Sequence, residues 1–114
     1  MSQAHIFAIF TPAPGKTERV RDLLKAQSSA VHQKESYAVR FLLTEKAGEN
    51  GADAEFWLFE TYESMEATEQ HVTEPHFKTM IEALEKESML AKPPVVAKTR
   101  TVAGFDVDRA FSGA

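Results

Sequence analysis

The 114 residues include no cysteine, which excludes disulfides, iron–sulfur ligation and thiol chemistry and fits a reducing compartment such as the cytoplasm. No apolar run approaches the ~20 residues a membrane-spanning helix needs. The opening MSQAHIFAIFTPAPG has neither the basic start nor the apolar length of a secretion signal. Positive charge is not in excess either: 13 Lys and Arg stand against 17 Asp and Glu, for a net charge of −4. Phosphate affinity comes mainly from clustered basic residues, so nucleic acid is a poor partner. The basic residues lie among acids, as in KTERVRD and ALEKES, which is the pattern of a solvated helix face. Five glycines form no phosphate-binding loop. Ser28-Ser29 lies in a helical stretch without the partners of a catalytic serine. These absences leave a soluble, cytoplasmic protein of one domain, since a chain this long has room for a single core.

What is present alternates between two periodicities. Ile6 to Phe10 reads as a strand closed by Thr11-Pro12-Ala13-Pro14-Gly15. From about Lys16 to Lys34 the spacing is helical: Val20, Leu23, Leu24, Gln27 and Val31 share a face, opposite Lys16, Glu18, Arg21 and Lys25. A second strand is expected over Tyr37 to Thr44, with Val39, Phe41 and Leu43 on one side and Ala38, Arg40 and Leu42 on the other. Gly48 to Asp53 reads as a solvated hairpin loop before a third strand, Glu55 to Tyr62. Ser64 is placed to cap a short helix. Pro75 restarts it at a first-turn position where proline loses no hydrogen bond. Phe77, Ile81 and Leu84 give this second piece its apolar stripe, and Val95 to Val102 supplies the last strand. The order β-α-β-β-α-β predicts a ferredoxin-like α+β domain, two helical segments covering one face of a four-stranded antiparallel sheet. It occupies residues 1–104, with 105–114 as a C-terminal tail.

Helices can cover one face of such a sheet, and an antiparallel sheet with a wet face should alternate apolar and polar residues. These strands do not. Strand one sets Phe7 and Ile9 against Ile6, Ala8 and Phe10, and strand three sets Trp57 and Phe59 against Phe56 and Leu58. Two neighbouring strands apolar on both faces predict that the second face packs on another sheet, and therefore a two-fold homodimer formed sheet against sheet.

The run Phe56-Trp57-Leu58-Phe59-Glu60-Thr61-Tyr62-Glu63-Ser64, followed by Ala67, His71 and Pro75-His76-Phe77, resembles the signature of the antibiotic-biosynthesis monooxygenase domain family. Gly15 after the first strand and Arg40-Phe41 also fit, and the resemblance spans about residues 5 to 103. It implies the dimeric α+β barrel, with a small-ligand cavity between sheet and helices in each subunit. Several members oxidise phenolic or quinol substrates with molecular oxygen and with no metal or flavin, so no cofactor is expected. Other members isomerise small sugar-derived metabolites, degrade haem or have no known reaction. The haem-degrading branch fits poorly, because Phe77 is followed by Lys78-Thr79-Met80-Ile81-Glu82 with no axial histidine.

Within this motif, His71 is the candidate proton acceptor and Glu60 the carboxylate that orients it, since a carboxylate beside an imidazole fixes its tautomer and strengthens it as a base. The alternative is a buried polar pair that locks helix to sheet. His76 is expected to line the cavity mouth or to cap local backbone groups. His71 and His76 lack the i, i+4 spacing of a helical metal pair, so no metal site is expected. Trp57 and Tyr62, five apart on one strand, fall on opposite faces; either suits stacking on a flat substrate, and Phe77 joins them as a pocket residue. Arg40, in an apolar strand, needs a carboxylate: Glu60, a substrate anion or a rim acid. The leading expectation is a cofactor-independent monooxygenase of a small aromatic or quinol metabolite. The alternatives are a non-catalytic ligand-binding or stress-response dimer, or an isomerase of a small hydroxy-ketone, on the same barrel.

Overall fold

The computed structural model describes residues 2–46 and 54–113; the expected hairpin loop of Gly48 to Asp53 lies outside the described residues. The elements in chain order are β1 (Ala4–Phe10), α1 (Thr17–Lys34), β2 (Ala38–Lys46), β3 (Glu55–Tyr62), α2 (Met65–His71), α3 (Pro75–Lys86) and β4 (Val95–Arg100). The strands form one antiparallel sheet in the order β2-β3-β1-β4, with the helices on one side. This is the ferredoxin-like α+β arrangement. No helix among the described residues is long and apolar enough to cross a membrane.

Local chemistry explains the breaks. Gly15 takes φ +79° where the chain turns from β1 into α1, a conformation an L side chain rarely adopts. The Ser64 side chain accepts a hydrogen bond from the Ala67 amide at 3.1 Å and so caps α2. Pro75 opens α3 at a first-turn position. Val20, Leu24, Gln27 and Val31 form the buried face of α1, and Leu24 packs with Ala8, Phe10, Phe56, Leu58 and Met80 in the main core cluster. Burying a leucine of this kind contributes roughly 1.5–3 kcal/mol.

Strand β2 departs from the expected pattern. It runs from Ala38 to Lys46, and its register against β3 jumps from Ala38↔Tyr62 to Arg40↔Thr61, leaving Val39 as an extra residue. Such a bulge puts two consecutive residues opposite one partner and shifts the alternation. Ala38 therefore packs beside Tyr62 on the helix side, while Val39 is exposed. Phe41 and Leu43 still face the core. Alternation alone put Val39 with Phe41 and Leu43, and the bulge corrects that assignment. The last strand also stops earlier than expected, at Arg100.

Beyond β4 the chain makes a small loop of its own. Gly104 and Ser112 exchange backbone hydrogen bonds of 2.9 and 2.7 Å. Asp106 reaches back to Arg40 on β2 at 2.8 Å.

Candidate active site

The helix-side face of the sheet carries Ile6, Ala8 and Phe10 from β1 and Phe56, Leu58, Glu60 and Tyr62 from β3, because these positions share one side of the pleat. Between this face and α3 lies a cavity of about 120 Å³, walled largely by apolar side chains including Ala8, Phe41, Leu58, Phe77 and Met80. Three polar side chains border it: Glu60, His71 and Gln27. The cavity shares Ile81 and Pro94 with an open apolar groove running toward Leu90 and Lys92.

His71 ends α2 and is buried. Its Nδ1 lies 2.6 Å from Glu35 Oε1, and the second oxygen of Glu35 lies 2.5 Å from His76 Nε2. Glu35 follows the last turn of α1, where its amide donates to the Val31 carbonyl at 2.9 Å, and is only 2% exposed. With Nδ1 engaged by the Glu35 carboxylate, Nε2 is the ring nitrogen that remains for other partners. That Nε2 sits 3.9 Å from Glu60 Oε1. The imidazole is further held by the edge of Phe77 at a centroid distance of 5.1 Å and by the Tyr62 ring at 5.2 Å.

Glu60 accepts a 2.6 Å hydrogen bond from the Tyr62 hydroxyl. Burial pushes its carboxyl above the ordinary range, against the opposing pull of that hydrogen bond and of His71. The Tyr62 hydroxyl is also pushed up, by burial first and by the neighbouring carboxylate second. Tyr37 rises for the same leading reason and donates to Glu74 at 2.7 Å. Among the described residues, no group of three His, Asp or Glu side chains is arranged to hold a metal ion.

The structure brings His71, Glu60 and Phe77 to the cavity and sends the other expected site residues elsewhere. Trp57 is largely exposed on the opposite face of the sheet, paired across the strands with Ile9. Tyr62 is on the helix side but fully buried, behind Glu60 rather than in the cavity wall. His76 is not in the cavity wall: it is tied to Glu35 and borders an outer groove with Lys34 and Thr79 that meets the cavity at Gln27 and Met80. Arg40 does not meet Glu60. It lies on the open face, donating to Thr61 Oγ1 at 3.1 Å and pairing with Asp106, its guanidinium 4.7 Å from the Phe59 ring centroid.

The expectation that Glu60 orients His71 is also corrected, because the hydrogen-bonded carboxylate is Glu35. Spacing could have found it. The buried positions of α1 run 20, 24, 27, 31, and the next step of that stripe is 35, a glutamate where an apolar residue is expected. A charged residue on a core stripe needs a buried partner, and here it has two.

Residues 4–83 match the antibiotic biosynthesis monooxygenase family. Among solved structures, the chain is similar to Rv0793 from Mycobacterium tuberculosis, at 28% identity and a TM-score of 0.74 over 86% of this chain and 93% of that one. A candidate antibiotic biosynthesis monooxygenase from Caulobacter crescentus shares 19% identity with a TM-score of 0.75, over 89% and 91% of the two chains. PA3566 from Pseudomonas aeruginosa shares 20% identity with a TM-score of 0.73, over 90% and 97%. No curated protein sequence matches the chain.

Proposed function

We propose that this chain, which belongs to the antibiotic biosynthesis monooxygenase family, is a cofactor-independent monooxygenase of a small aromatic or quinol metabolite. The observation that carries the reading is the base. His71 borders a mostly apolar cavity of about 120 Å³, with Nδ1 anchored on the buried Glu35 and Nε2 3.9 Å from Glu60, which borders the same cavity. A phenol in the cavity gives its proton to Nε2, and the apolar walls intensify the charge of the phenolate left behind. The electron-rich ring then reacts with molecular oxygen. One oxygen atom ends in the ring and the other in water, and the substrate supplies the electrons. Glu60, its carboxyl held above the ordinary range, is placed to return a proton.

The working unit is residues 1–104, with 105–114 an appendage, in a cytoplasmic homodimer joined through the open sheet face. The support for the dimer is the exposed aromatic surface of the two central strands. Phe7 and Phe59 stack there with ring centroids 4.9 Å apart and Phe7 is 46% exposed. Exposed apolar area of this kind marks an interaction surface.

The test is an oxygen-electrode assay in metal-free buffer against a panel of quinols and polyphenols, with wild type and His71→Ala run together after sizing. Oxygen uptake should fall by roughly 100-fold or more in the variant, the usual contribution of a positioned base. Undiminished uptake in a folded His71→Ala would overturn the assignment of the base. No uptake with any quinol would turn the reading to the isomerase, for which the adjacent His71 and Glu60 form an acid/base pair that needs no oxygen.

A further inference from the structure

The cavity contains one polar group that the proposed chemistry leaves unused. Among the described residues, two buried side-chain polar atoms lack a hydrogen-bond partner in the protein, Thr17 Oγ1 and Gln27 Nε2. Thr17 opens α1. Gln27 lies in the middle of the helix on its buried stripe, 4% exposed, and stands between the cavity of His71 and Glu60 and the outer groove of His76, bordering both. Burying an amide donor without a partner destabilises a fold. A leucine or methionine would suit the stripe of Val20, Leu24 and Val31 better, so the amide is costly where it stands. Groups kept against the interest of stability are concentrated at sites of function.

Size narrows what the amide meets. A cavity of about 120 Å³ is close to the ~150 Å³ that holds a benzene in an engineered apolar core, so the enclosed part takes one six-membered ring. Larger substituents leave past Ile81 and Pro94 into the open apolar groove toward Leu90 and Lys92.

Resting on the reading of this cavity as the ligand site, we propose that Gln27 is its specificity-determining residue. Its amide N–H donates to a second oxygen on a single-ring phenol whose first hydroxyl is held by His71. The cavity thus selects rings carrying two oxygens over rings carrying one. The apolar wall supplies affinity without discrimination, and the amide supplies the discrimination, because a phenol lacking the second oxygen leaves the donor unpaired.

The experiment is anaerobic calorimetric titration of hydroquinone and of phenol into wild type and Gln27→Met, with thermal unfolding of both proteins. Wild type should bind hydroquinone about tenfold more tightly than phenol, the worth of one net hydrogen bond. In Gln27→Met the ratio should fall to about one with phenol affinity unchanged, and the unfolding midpoint should equal or exceed that of wild type. Gln27→Leu gives the same reading if the methionine variant does not fold. Equal binding of the two probes by wild type, or a preference that survives in the variants, overturns the proposal while leaving the cavity as a ligand site. Binding of neither probe overturns the ligand-site reading together with it. Gln27-dependent discrimination without oxygen uptake overturns the oxygenase reading alone.

Discussion

The two faces of one sheet use charge in opposite ways. On the helix side, Glu35, His71, Glu60 and Tyr62 are shut away from water, with His76 half-buried beside them, and short hydrogen bonds join Glu35 to both histidines and Tyr62 to Glu60. On the open side, Arg40 and Asp106 also pair at 2.8 Å, but the aspartate is more than half exposed. The geometry of the two pairs is similar and their consequences are not. A buried ionisable group that loses its partner is left without hydration, whereas an exposed one turns to solvent. The helix side therefore suits proton chemistry, and the open side, with its stacked Phe7 and Phe59, suits contact with another surface.

The largest effect that should separate the faces is Glu35→Ala. It strands the buried His71 and frees the half-buried His76, and the expected loss of stability is about 3–5 kcal/mol, measured by denaturant unfolding. A loss under ~1 kcal/mol would show that the cluster is wetter than its burial indicates. On the open face, Phe7→Glu should leave the monomer folded but weaken self-association by roughly 30-fold or more, as losing a central interface aromatic does. Analytical ultracentrifugation checks this, and unaltered association, or none in wild type, would overturn the proposed sheet-to-sheet homodimer.

The third prediction uses pH. Burial raises the Glu60 carboxyl in the folded state above its ordinary value of 4.5, so the native state binds more protons than the unfolded chain in the window that opens upward from there. The stabilising contribution of Glu60 is complete below that window and is lost as pH rises through the folded-state value. Glu60→Gln, which mimics the neutral acid, should flatten the dependence and raise the unfolding midpoint at pH 7–8 relative to wild type. A midpoint that falls equally at all pH values would contradict the sign. Smallest of all, Arg40→Ala should lower the thermal unfolding midpoint by the smallest shift of the four, because its partner Asp106 is exposed and turns to solvent. A larger loss would mean that the 104–112 loop is integral to the sheet.

Much of the fold was legible because period-two and period-3.6 patterns are local. The helix starting at Thr17, the cap at Ser64 and the restart at Pro75 each follow from a few neighbouring residues. Val39 was not legible, since a bulge is decided by pairing with β3 and not by the β2 sequence. The site divided the same way. His71 and Phe77 stood in a recognisable run and reached the cavity. Trp57 and Tyr62 were correctly set on opposite faces, yet neither enters the cavity wall, because burial depends on what packs above the strand.

The sequence by itself determined the element order, the absence of thiol chemistry, the two-faced central strands and the histidine motif. These are statements about composition and near neighbours. Only the tertiary structure decided that Glu35, 36 residues away along the chain, is the carboxylate that holds His71. It alone put Arg40 beside Asp106 and left Gln27 Nε2 without a partner among the described residues. Electrostatics and hydrogen bonding act over a few ångströms of space whatever the separation in sequence, so the partners of a buried polar group are known only once the helices are laid on the sheet.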